Sequence, residues 1–238
     1  MIAFFRALLQ PFETLIASLL TVLTSLTGNV GLAVILLTII VRLVFHPLSR
    51  YGFKAIRKMQ SLAPQMEVIR RKFKEDPQRT NQEIMGLYRT AGVNPLGGCL
   101  PSLVQLPVLI ALWNVLRQGG RFAGQTFLGV PLDLQPSPAL IAQNPFLLAF
   151  PLLIAASTYF QQRMSITDPQ QARFFVFMPI LFAYFSFTFP VGLSIYWIAS
   201  TVLGIIEYYI VLGPPARRAP PPARPSAGRK QTGKAKPA

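Results

Sequence analysis

Three observations predict an all-α polytopic membrane protein with five transmembrane helices, a cytoplasmic helical hairpin and an N-terminal interfacial helix. The chain is 52% hydrophobic, and its apolar residues arrive in long blocks. Its basic residues, which give a net charge of +15, cluster in segments between and after those blocks. Arg42 stands inside one of the longest apolar runs, GNVGLAVILLTIIVRLVFHPL. Arginine keeps its charge at any accessible pH, so it must face a wet cavity, a paired acid or the headgroups rather than lipid tails. The residue predicts a polar hollow within the bundle.

Residues 1–28 come first. Phe4, Phe5, Leu8, Leu9, Phe12, Leu15, Ile16, Leu19, Leu20 and Leu23 recur at helical spacing, with Arg6, Gln10, Glu13 and Thr21 between them. This pattern predicts an amphipathic helix lying on the outer leaflet. A signal peptide fits less well, because Pro11 and Glu13 interrupt its apolar core and Arg6 is its only basic side chain.

About 17–25 apolar residues cross a bilayer core, which places spans at 29–48, 99–118, 145–162, 174–190 and 191–212. Pro107 should kink the second, as membrane helices tolerate when neighbours satisfy the freed carbonyl. The third and fourth are near the short limit, which points to locally thinned lipid. Pro190-Val191-Gly192 makes a tight turn between the last two.

Between the first two spans, residues 49–98 hold Arg50, Lys54, Arg57, Lys58, Arg70, Arg71, Lys72, Lys74, Arg79 and Arg89. Apolar residues at Phe53, Ile56, Met59, Leu62, Met66, Ile69 and Phe73 predict one helix, and Ile84, Met85, Leu87 and Tyr88 a second, separated by Asp76-Pro77. The expected product is an antiparallel hairpin. Phe53, Met59, Met66 and Met85 would give it an adaptable apolar surface; on the other reading the same stripe only zips the two helices together.

The 119–144 loop has only Arg121, so the positive-inside rule makes the hairpin cytoplasmic and that loop external. Five crossings then put the N-terminus outside, the 163–173 loop with Arg163 and Arg173 inside, and the 213–238 tail inside. The tail carries seven basic residues and no acidic one, and its composition predicts disorder. Such a polycation binds anionic lipid or RNA without reading sequence, and a translating ribosome is the RNA surface within reach.

Several functions are excluded or disfavoured. Cys99 is the single cysteine, so there is no internal disulfide and no cysteine cluster for a metal, and no cofactor is expected. His46 is the one histidine and lies at the opposite end of the membrane from Ser194, which leaves no hydrolase dyad; it reads as an interfacial side chain. A small-solute transporter or channel is the alternative reading, although no paired inverted repeat or acid-rich relay is visible. Nucleic-acid binding as the main role fails because the basic residues already obey the positive-inside rule.

Residues Ala91-Gly92-Val93-Asn94-Pro95-Leu96-Gly97-Gly98-Cys99-Leu100-Pro101, with Gln105-Leu106-Pro107 and Leu112-Trp113 after them, resemble the second-span signature of the YidC/Oxa1/Alb3 membrane protein insertase family. Arg42 in the first span, the basic hairpin, and Pro190-Val191-Gly192-Leu193-Ser194-Ile195-Tyr196-Trp197 entering the last span are similar to that family too. The resemblance covers about residues 25–212.

It implies a non-enzymatic insertase whose five core helices enclose a hydrophilic groove, open to the cytoplasm and laterally to lipid. Nascent membrane proteins would enter the groove with a polar flank and leave into the bilayer without ATP hydrolysis. The implied groove residues are Arg42, Gln105, Asn114, Gln161, Gln162 and Glu207, with Tyr196 and Trp197 along the exit path. Asn114 and Gln162 also read as helix–helix hydrogen-bonding groups, and Ser200 and Thr201 as small packing residues. Glu207 departs from the glutamine more usual near that position, and it can pair with Arg42 across the groove or stand with it in water. Implied partners are the bilayer, the ribosome through hairpin and tail, the Sec translocon and the signal recognition particle pathway. The expected location is a bacterial plasma (inner) membrane, in the short form without a large external domain.

Overall fold

The computed structural model describes residues 2–213, apart from 99, 118–121, 123 and 167–168. The basic tail expected after Gly213, and the readings of Cys99 and Arg121, lie outside the described residues, as do the side chains of Phe4, Phe5, Arg6, Leu8 and Arg173. The fold is mainly helical, as the sequence predicts.

Helix α1 (Ile2–Thr27) stops at Gly28, whose φ of +66° is one that a residue without a Cβ adopts at little cost. Asn29 then caps α2 (Val30–Val44), its side-chain oxygen accepting from the Leu32 amide at 3.1 Å. The first expected span, 29–48, is cut short. The chain bends by 66° at Phe45 into α3 (His46–Ser61), because Pro47 has no amide to continue the α2 ladder and sits instead in the first turn of a new helix.

The segment between the first two expected spans is built from three helices, whereas the sequence predicts two. Pro64 restarts the helix after Leu62, giving α4 (Ala63–Lys72), and Asp76 caps α5 (Pro77–Thr90) by accepting from the Arg79 amide at 2.9 Å. Ile56, Met59, Met66, Ile84, Tyr88 and Val93 form a small core of their own. The adaptable surface expected of Met59 and Met66 is therefore corrected: both are buried, and the Tyr88 hydroxyl donates to Met66 Sδ at 3.3 Å. They zip the hairpin, while Met85 stays exposed.

After a 3-10 turn at Pro95–Gly98 come α6 (Leu100–Arg117), α7 (Pro138–Gln143), α8 (Ala149–Ser165), α9 (Pro169–Ser186) and α10 (Val191–Leu212). Helices α2, α8 and α10 run one way and α6 and α9 the other. One end of the bundle carries the 119–144 loop and the other the hairpin. Three contacts fix the hairpin end: Gln60 donates to the Met164 carbonyl of α8 at 2.8 Å, Arg57 donates to the Leu212 carbonyl, and the Phe53 ring meets Tyr208 edge-on at 5.5 Å.

The described residues of the loop end pack onto the bundle. Strands β1 (Thr126–Phe127) and β2 (Val130–Pro131) form a minimal antiparallel hairpin turned by Leu128 and Gly129, both at positive φ. The Phe127 ring fills the space that a Cβ on Gly31 would need. Val130 and Leu132 are buried in the main core with Leu20, Leu37, Leu112 and Leu193. The carbonyls of Leu134 and Leu132 accept from the amides of Val191 and Gly192, each at 2.9 Å, so donors that a helix start leaves open are satisfied.

The outward faces are apolar. Leu36, Ile40 and Leu43 on α2, Leu152 and Phe160 on α8, Ile180 and Tyr184 on α9, and Ile206 and Ile210 on α10 are exposed, as lipid-facing residues are in a protein whose solvent is the bilayer. Among the described residues, Leu9–Thr27 and Val191–Leu212 are long and apolar enough to cross a membrane, and the bent α2–α3 pair adds a third if counted as one span. Gln105–Arg117 and Phe177–Ser186 are apolar but shorter. Although α1 is apolar enough to cross, Glu13 accepts from Asn114 at 2.6 Å and Asn29 reaches the Thr126 carbonyl at 3.4 Å. Both contacts hold the Glu13–Asn29 stretch at the loop end.

Candidate polar site within the bundle

Helix α10 supplies the backbone of the site. Tyr196, Ser200, Gly204 and Glu207 follow one another at intervals of four, four and three, which lines them along a single helical face, and all four are buried. Helix α2 brings Arg42 to that face. Its Nη2 donates to the Ser200 carbonyl at 2.5 Å and to Ser200 Oγ at 3.0 Å, and its Nη1 stands 3.6 Å from Glu207 Oε2. The two charged side chains are only 19% and 10% exposed, so this pair is sheltered rather than water-facing.

Gly204 is what lets the guanidinium in. A Cβ there would lie 2.8 Å from both Arg42 Nη2 and Gln161 Nε2. The glycine thus brings Arg42 of α2 and Gln161 of α8 together over α10. From α6, Gln105 donates to the Tyr196 hydroxyl and lies 3.5 Å from Ser200 Oγ.

The bend at Phe45 completes the cluster, because it turns His46 back toward α10, where Nδ1 meets Glu207 Oε1 at 2.7 Å. An ionised carboxylate only accepts, so the contact is a hydrogen bond in the tautomer that carries its proton on Nδ1. His46 was expected as a plain interfacial side chain; it is Glu207's nearest partner.

The other candidates lie apart. Asn114 is bonded to Glu13 of α1, joining two helices away from Arg42. Trp197 turns to α8 and α9, donating to Thr158 Oγ1 at 3.1 Å and packing on Phe182 with ring centroids 4.6 Å apart. Gln162 is half-buried, and its Oε1 has no hydrogen-bond partner among the described residues; the same holds for Arg42 Nε. Sequence reasoning missed Gly204 and the His46 contact. The regular spacing of Tyr196, Ser200, Gly204 and Glu207 was the available signal for the first.

No group of three or more potential metal ligands occurs among the described residues. The arrangement offers donors, acceptors and one sheltered ion pair.

A helical bundle with apolar outer faces and a charged cluster in its interior defines a multi-pass membrane protein. Comparison with known proteins gives the family. Residues 22–215 match the family model described as 60Kd inner membrane protein. The chain is 44% identical over 195 residues to the membrane protein insertase YidC of Ralstonia nicotianae, covering 81% of this chain and 34% of that protein. It is 39% identical over 196 residues to the protein of the same name from Vibrio cholerae, covering 81% and 35%. A crystal structure of an active YidC insertase with its first transmembrane domain resolved superposes with a TM-score of 0.66 at 31% identity, over 86% of this chain and 46% of that one. The chain belongs to the 60Kd inner membrane protein family. It spans about a third of the length of the curated relatives it matches.

Proposed function

We propose that this chain is a membrane protein insertase: it receives nascent membrane proteins in a polar groove around Arg42 and releases their apolar segments sideways into lipid. The observation that carries this reading is the Arg42–Ser200–Glu207 cluster, with Gln105 and Gln161 beside it, inside a bundle whose outer faces are apolar. Carrying an unsatisfied polar flank through hydrocarbon costs several kcal/mol per group. Donors and acceptors at intermediate depth lower that barrier by replacing lost water contacts. Burial of the substrate's apolar span in lipid supplies the driving force, so no nucleotide is required.

In this reading five helices, α2, α6, α8, α9 and α10, cross a bacterial inner membrane, with the hairpin and the C-terminal tail cytoplasmic and the N-terminus outside. The Glu13–Asn114 contact supports an α1 lying across the outer end of the bundle. Ten basic residues of the hairpin segment and seven of the tail suit a ribosomal surface, and the Sec translocon and signal recognition particle pathway follow as partners.

The test is insertion of a single-span substrate into proteoliposomes, read by protease protection. Protection above empty vesicles is expected with the purified protein, and Arg42→Ala should lower it. Folded protein that gives no protection above empty vesicles would overturn the reading.

A further inference from the structure

We infer that Glu207 is a specificity-determining residue: as the built-in counter-ion of Arg42, it makes the groove tolerant of neutral polar flanks rather than selective for acidic ones. This rests on the insertase reading above. A lone arginine at this depth would present a fixed positive potential to any substrate. Here the carboxylate stands 3.6 Å from that guanidinium, sheltered to 10% exposure, and His46 fastens its other oxygen at 2.7 Å. Two opposite unit charges this close present a dipole to a visitor farther away, and a dipole's potential falls off faster than that of a single charge.

The neighbours contributed by α6 and α8 are uncharged: Gln105 and Gln161. Arg42 Nε is a buried donor without a partner among the described residues. The site therefore sets uncharged hydrogen-bonding groups beside a balanced pair of charges, the chemistry of a groove for amide- and hydroxyl-rich flanks. His46 acts as a positioning residue, holding Glu207 on the α10 face next to Arg42.

The experiment uses three single-span substrates in proteoliposomes, identical but for two acidic, two neutral polar or two basic residues in the translocated flank. With wild type, the acidic-to-neutral insertion ratio should stay within about twofold of one. In Glu207→Gln it should rise roughly threefold to tenfold, the scale of a screened unit charge, and in Glu207→Gln with Arg42→Gln it should return toward the wild-type value. A wild-type ratio already near tenfold, or a ratio unmoved by Glu207→Gln, would overturn the inference while leaving insertase activity intact. Failure of wild type to insert any of the three above empty vesicles would overturn the insertase reading and this inference with it. The wild-type ratio decides alone if the variants do not fold.

Discussion

Gly204→Ala separates the ordinary effect of a helical glycine from the particular role of this one. In a helix interior, glycine to alanine stabilises by about 1 kcal/mol, because alanine restricts the unfolded chain and lacks glycine's backbone penalty. At Gly204 the added methyl would stand 2.8 Å from Arg42 Nη2 and Gln161 Nε2 and 3.0 Å from Arg42 Nη1. Both side chains are flexible at that end, so the backbone need not move. Arg42 must nevertheless withdraw from Ser200, losing charge-assisted hydrogen bonds worth about 1.5–3 kcal/mol each. Counting one such bond, the net is destabilisation of about 0.5–2 kcal/mol, which at roughly 2–4 °C per kcal/mol lowers the unfolding midpoint by a few degrees. Gly86→Ala is the control, since that glycine lies within α5 with nothing inside 4 Å of an added Cβ. Thermal unfolding in detergent, followed by far-UV circular dichroism, should move the two midpoints in opposite directions or leave Gly86→Ala unchanged. If Gly204→Ala unfolds at or above the wild-type temperature, Arg42 does not depend on the gap at Gly204 and the packing argument is wrong.

Gly31→Ala should dislodge the β1–β2 hairpin, because the new methyl would approach Phe127 Cβ, at the rigid root of that side chain, to 2.6 Å; limited proteolysis within 119–134 should become faster, and an unchanged cleavage rate would count against the packed loop end. Met66→Ala should cost the α3–α5 hairpin about 2–5 kcal/mol, whereas Met66→Leu should cost less than about 1.5 kcal/mol. Hydrogen exchange of α4 and α5 amides would read both, and equal protection in the two variants would show that Met66 is not core.

The broad architecture was legible because it rests on signals written in composition and spacing. Arg42 in an apolar run pointed to a polar interior, and Glu207 was an evident candidate partner. Proline positions also carried information: Pro77 marked the start of α5, and Pro190 preceded α10. What escaped were consequences of helix direction. The 66° bend at Phe45 carries His46 back onto α10, and a one-dimensional reading that ran the first span to residue 48 placed that histidine at the interface instead. Met59 and Met66 have the same period whether a stripe faces inward or outward, so periodicity alone could not decide between a zipper and a free surface. Asn114 lies on the same helix as Gln105, yet it meets Glu13 of α1. Which neighbour a polar group finds depends on the packing of helices far apart in sequence.

The contact between Arg57 and the last carbonyl of α10 fixes where the polypeptide leaves the bundle. The described chain ends beside α3 of the hairpin segment, and seven basic residues follow it in sequence, where that segment holds ten. Tethering turns two weak polycationic contacts into a bivalent one, in which engagement of either raises the effective concentration of the other. If both segments meet the polyanionic surface proposed above, avidity is a property of the junction at Leu212 as much as of either segment, and cutting the chain there is expected to forfeit more binding than the tail alone provides.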